Sequence, residues 1–122
     1  MDPNASKKGM FNKLNKAQAL QRLEAETFNR KTVSFYRYVI LNDPHQLRDE
    51  LYEQWRKLGV LGRVYLAEEG INAQLSVPQH NWEAFVYHLN GYVYFADIPF
   101  KVAVEDDGKS FLKLTIKVRK QI

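Results

Sequence analysis

Cysteine is missing from all 122 residues of this chain. Its absence excludes a disulfide framework, a thiolate-ligated zinc site and a thiol nucleophile in any compartment. Long apolar runs are missing too: no stretch approaches the roughly 18 residues a membrane-spanning helix needs, and the first thirty residues lack the apolar core of a secretory signal. No membrane partner is expected, and the cytoplasm is the expected location. Histidine is sparse, and His45, His80 and His88 follow no recognised ligand spacing, so no metal is expected. Gly-rich phosphate loops, nucleotide fingerprints and nucleophile elbows are also lacking, and no cofactor is expected in this chain. Two carboxylate clusters remain, Glu68-Glu69 and Glu105 to Asp107. Each adjoins a Gly and has no third group to complete acid–base machinery, so both read as turns.

The length suits one compact core. A net charge of +4 is unevenly distributed, with seven Lys/Arg against three acidic residues in 1–31 and eleven of each in 32–122. Within the second part, Lys109 to Lys120 carries five basic residues and no acidic one. Charge total says little here, whereas local segregation marks a surface for an anionic partner.

Residues 1–9 are polar and offer little apolar area against ordering entropy, so they are expected to be disordered. Met10, Leu14, Ala17 and Leu20 then recur at helical spacing without a Gly or Pro, predicting an amphipathic helix that completes a basic tail over 1–31. The domain proper is expected over 32–122. Val33 to Leu41 is β-branched and aromatic, the composition of a central strand with both faces at least partly covered. Asn42-Asp43-Pro44 supplies a cap and a first-turn Pro for a helix carrying Leu47, Leu51, Trp55 and Leu58, with Gly59 as its stop. Alternation over Arg63 to Ala67 and Ile71 to Val77, about Glu68-Glu69-Gly70, predicts a hairpin. A second helix follows Pro78 with Trp82, Phe85, Val86 and Leu89 as its apolar stripe. Pro99 to Glu105 and Phe111 to Arg119 read as two further strands.

This order defines an α+β fold of the ferredoxin-like, split βαβ type: an antiparallel sheet with two helices on one face, plus the N-terminal helical tail. Period-2 alternation assigns Val64, Leu66, Ile71, Ala73, Leu75 and Val77 to the helix side and Arg63, Tyr65, Asn72, Gln74 and Ser76 to the open side. Leu112, Leu114, Ile116 and Val118 join the first set, and Lys113, Thr115, Lys117 and Arg119 the second. Cations that neutralise phosphates beside an aromatic ring that can stack on a base suit RNA, with Tyr65 as the ring. The candidate RNA-binding residues are Arg63, Asn72, Lys109, Lys113, Lys117 and Arg119. No stretch carries the signature of an RNA-recognition motif.

Four segments together carry a family resemblance: Val33-Ser-Phe-Tyr-Arg-Tyr38, Gly62-Arg-Val-Tyr-Leu-Ala67, Glu69-Gly-Ile-Asn-Ala73, and Asp107-Gly-Lys-Ser-Phe111 through Lys117-Val-Arg119. Over about residues 31–122 the chain resembles the N-terminal, acylphosphatase-like domain of the bacterial rhodanese-domain-containing tRNA uridine hydroxylases. That resemblance implies a full-length enzyme that converts the wobble uridine of certain tRNAs to 5-hydroxyuridine with molecular oxygen. It further implies a C-terminal rhodanese-like domain, bearing the essential Cys and absent from this chain, as the catalytic part. No catalytic residue of the family maps onto these positions. The implied role is an accessory one, positioning tRNA or the catalytic domain. The alternative is a purely structural packing module with no RNA contact. Acylphosphatase activity is not expected, since Asn42-Asp43-Pro44 has neither the Gly nor the Arg of a phosphate cradle.

Overall fold

The computed structural model describes residues 15–103 and 111–122. An N-terminal helix α1 (Lys16–Glu24) precedes β1 (Arg30–Tyr38), α2 (Pro44–Lys57), the hairpin strands β2 (Leu61–Ala67) and β3 (Gly70–Pro78), α3 (Trp82–Asn90), and the short strands β4 (Lys101–Val102) and β5 (Leu114–Val118). Strand order across the sheet is β4-β1-β3-β2-β5. The split βαβ arrangement follows: β3 lies between β1 and β2, antiparallel to both, and β4 runs antiparallel along the far side of β1.

One strand departs from an all-antiparallel sheet. β5 pairs with β2 in parallel, matching Gly62 to Leu114 and Leu66 to Val118. The two strands expected from residue 99 onward therefore do not face each other across a turn; they close opposite edges of the sheet. Parallel pairing requires a long crossover, and residues 68–113, which include β3, α3 and β4, separate β2 from β5. The acidic triplet Glu105 to Asp107 and Lys109 lie outside the described residues.

Local sequence accounts for the element ends. Asp43 caps α2 by accepting from the Gln46 N–H at 3.1 Å, with Pro44 opening the helix. Asn15 and Gln18 form a reciprocal capping box on α1, at 2.7 and 3.2 Å. Gly59 has φ +75°, the left-handed conformation that ends α2 at little steric cost. At the two-residue turn Glu68-Glu69, Gly70 has φ +147°, and a Cβ there would sit 2.0 Å from the Arg37 carbonyl oxygen.

The apolar faces of α2 and α3 cover one side of the sheet. Leu47, Leu51 and Trp55 from α2 and Phe85 and Leu89 from α3 form one core with Val33, Phe35, Val64, Leu66, Ile71, Leu75 and Val77. Burying each of these large side chains contributes roughly 1.5–3 kcal/mol. Aromatic packing orders the α3 side: Phe35 and Trp82 each meet Phe100 edge-on, at 5.3 and 5.1 Å. The Trp55 indole N–H donates to Nδ1 of the half-buried His88 at 3.0 Å, tying α2 to α3 at the margin of the core.

Arg30 fastens the N-terminal segment to the sheet. Its Nε and Nη2 donate to the Glu26 carboxylate at 2.8 and 2.7 Å, and its Nη1 donates to the carbonyls of Gly59 and Ser76. Leu23 of α1 is buried.

Candidate nucleic-acid interface

Register determines which side chains share the uncovered side of the sheet. Tyr36 lies opposite Asn72, Asn72 opposite Tyr65, and Tyr65 opposite Lys117, which makes one row across four strands. The next row, two residues along the strands and reaching β4, contains Lys101, Ser34, Gln74, Arg63 and Thr115. Directly opposed residues project to the same side, so these rows form one surface. Of the sequence candidates, Arg63, Asn72, Lys113, Lys117 and Arg119 are all exposed and all belong to this side or its β5 edge.

The open side is shorter than alternation alone suggests. Ser76 is fully buried, Thr32 and Leu61 beside it are half-buried, and Arg30 lies across this end with its guanidinium on the Ser76 carbonyl. Ala67, at the other end, is also fully buried. Nearby, the Ile122 N–H donates to Glu69 at 2.8 Å, so that carboxylate serves in a structural contact. Exposure is concentrated between these ends.

Two expectations about aromatic rings need correcting. β1 is central in the sheet, but only its helix side is covered along its second half: Tyr36 and Tyr38 are 67% and 69% exposed. Their rings meet nearly at right angles with centroids 6.1 Å apart. Tyr65, the expected stacking residue, is instead half-buried, and the Arg119 guanidinium lies 5.7 Å from its ring centroid. That cation–π contact makes Tyr65 a support for Arg119. A similar contact, at 5.6 Å, holds Arg63 against Phe111. Alternation could have identified Tyr36 and Tyr38: once Val33 and Phe35 are assigned to the core, residues 34, 36 and 38 must face the other way.

Charge divides by layer. None of the described strands contains Asp or Glu, whereas Asp49, Glu50, Glu53 and Glu83 belong to α2 and α3. On the helical layer Arg48 pairs with Asp49 and Arg56 with Glu53. The open sheet side thus presents Arg63, Lys101, Lys113, Lys117 and Arg119 with no strand carboxylate to offset them. An open cleft of about 400 Å³ at the end of β5, lined by Pro44, His45, Glu68, Val118, Arg119 and Lys120, extends this basic margin.

Titratable groups on the helical side serve packing. Burial lowers the His88 pKa against the opposing influence of Glu50, which suits a neutral ring whose Nδ1 accepts from Trp55. The Tyr92 hydroxyl, 3.3 Å from Glu50, is pushed up to about 12 by burial first and then by that carboxylate. Among the described residues no group of three or more His, Cys, Asp or Glu could hold a metal ion, and no helix is long and apolar enough to cross a membrane.

Fold and surface together define a ferredoxin-type α+β domain whose uncovered sheet is basic and aromatic. A family profile described as the UPF0176 acylphosphatase-like domain matches residues 30–122, and the chain belongs to that family. It is 54% identical over 95% of its length to the tRNA uridine(34) hydroxylase of Leptospira interrogans, and 47% identical over 93% to that of Yersinia enterocolitica. The chain spans about a third of the length of these curated relatives, 32% and 33%. Among solved structures it is similar to the dark state of BlrB, a BLUF protein, with TM-score 0.54 and 13% identity over 79% of this chain and 77% of that one. BlrP1 BLUF gives TM-score 0.50 and 10% identity over 77% and 66%. At such identities the likeness concerns the fold alone.

Proposed function

We propose that this chain is the N-terminal accessory domain of an oxygen-dependent tRNA hydroxylase that forms 5-hydroxyuridine at the wobble position. Its open sheet side holds the tRNA, while oxidation takes place on a rhodanese-like domain outside this chain. The observation that carries the reading is the layer-wise charge division: a sheet side with several cations and no strand carboxylate, in a chain whose relatives are named tRNA uridine(34) hydroxylases. Phosphate contacts from Arg63, Lys113, Lys117 and Arg119 position the nucleic acid without specifying its sequence. Asn72, in the middle row, adds a donor and an acceptor for a base edge. Placement and chemistry are thereby divided between two parts of one enzyme.

Exposed tyrosine rings also favour a second reading, in which the same side packs on the rest of the protein and never meets RNA. A salt titration of tRNA binding separates the two. Phosphate contact predicts that log K falls linearly with log salt, by about 0.7–0.9 per phosphate engaged. Undetectable binding at low salt would leave the packing reading in place.

A further inference from the structure

Resting on the RNA reading, we propose that Tyr36 and Tyr38 form a stacking platform for unpaired bases, so that this surface takes single-stranded rather than duplex RNA. Phosphates alone would not demand this pair. Both rings stand at the surface of a sheet on whose same side, among the described residues, Tyr65 and Phe111 are occupied by Arg119 and Arg63. Among the described residues, Tyr36 and Tyr38 have only each other as a ring partner, edge to face at 6.1 Å. An edge-to-face pair limits the orientations of both rings while leaving much of their surface in water.

Location strengthens the assignment. In the row Tyr36, Asn72, Tyr65, Lys117, the tyrosine and the lysine are three strand spacings apart, about 14 Å at 4.7–4.9 Å each. The cations Arg63, Lys113, Lys117 and Arg119 lie on β2 and along the β5 edge, and Tyr36 and Tyr38 lie on β1. A strand of RNA with its backbone along β5 would direct its bases inward across Asn72 toward the rings. Bases in a duplex are already stacked on one another and cannot offer a face to tyrosine, so the platform accepts only a loop, bulge or end.

The test compares binding of a fluorescein-labelled single-stranded oligouridine and a duplex of equal length to the 122-residue chain, wild type and Y36L/Y38L, across a salt series. Stacking predicts that the single strand binds more tightly, and that Y36L/Y38L loses about 5- to 150-fold in affinity per stacked base with an unchanged salt slope. Y36F/Y38F should bind like wild type, since the ring is kept. K117A should instead lower the slope by about 0.7. In NMR spectra, uracil H5 and H6 should shift upfield on binding wild type and Y36F/Y38F but not Y36L/Y38L. If RNA binds with a steep slope but the single strand is not preferred, or the leucine variant keeps full affinity, the platform is overturned and the RNA reading stands. If wild type binds neither RNA at low salt, the RNA reading itself fails. Circular dichroism of the leucine variant distinguishes lost stacking from lost fold.

Discussion

At the scale of single residues, His88 shows how a group that invites a metal or catalytic reading serves the core. Trp55 is fully buried, and its indole N–H has His88 Nδ1 as acceptor. His88→Ala leaves that donor unpaired and should destabilise the domain by about 1–3 kcal/mol, measured by urea denaturation at pH 7.5. The same bond sets a pH dependence. Because burial depresses the folded-state pKa below the ordinary 6.5, the unfolded chain binds the proton more readily. The contribution is fully present above about pH 6.5 and is lost as pH falls through the folded-state value. Wild type should therefore lose stability between pH 7.5 and 5.5, and the alanine variant should lose less over the same range. Arg30 belongs to the same scale. Its fork satisfies Glu26 and two carbonyls, so Arg30→Ala should cost about 1.5–3 kcal/mol and expose α1 to limited proteolysis.

Among the elements, the hairpin turn is the most constrained. Gly70→Ala places a methyl 2.0 Å from the Arg37 carbonyl at a φ that L residues rarely adopt. Since Arg37 is on β1, relief requires moving the β1–β3 pairing. We expect a loss of more than about 1 kcal/mol in denaturant unfolding, whereas Glu68→Ala, at an exposed turn position, should change stability by less than about 0.5 kcal/mol. β5 was readable as a strand from its alternation, but its parallel partner was not. Alternation assigns faces within a strand and carries no information about which edge the strand will join. β1 illustrates the converse: its apolar and aromatic composition suggested cover on both sides, yet Tyr36 and Tyr38 face outward. A tyrosine satisfies a buried strand and an exposed one equally well on composition, because its ring is apolar and its hydroxyl polar.

For the whole molecule, the proposal rests on a field rather than on any one contact. Charge reversal at Lys113 and Lys117 together should abolish most of the salt-dependent affinity for tRNA if the open side tracks phosphates. In a longer protein that carries the catalytic part, the same pair of substitutions should leave tRNA affinity intact and disturb association of the two parts if the packing reading holds. Filter binding and analytical ultracentrifugation distinguish these outcomes.

Absence of cysteine excluded thiol chemistry from this chain without reference to any fold, since no arrangement can supply an atom the chain does not contain. Cap residues, apolar periodicity and turn glycines likewise specified α2, α3 and the β2–β3 hairpin, because those signals act between residues close in the chain. Register and layer order were a different matter. They placed Asn72 between Tyr36 and Tyr65, brought Arg63, Lys101, Lys117 and Arg119 to the side away from the helical carboxylates, and gave Tyr65 to Arg119 while leaving Tyr36 and Tyr38 exposed. Each of these depends on pairing between segments far apart in the chain, and such pairing is set by the packing of the whole sheet against its helices.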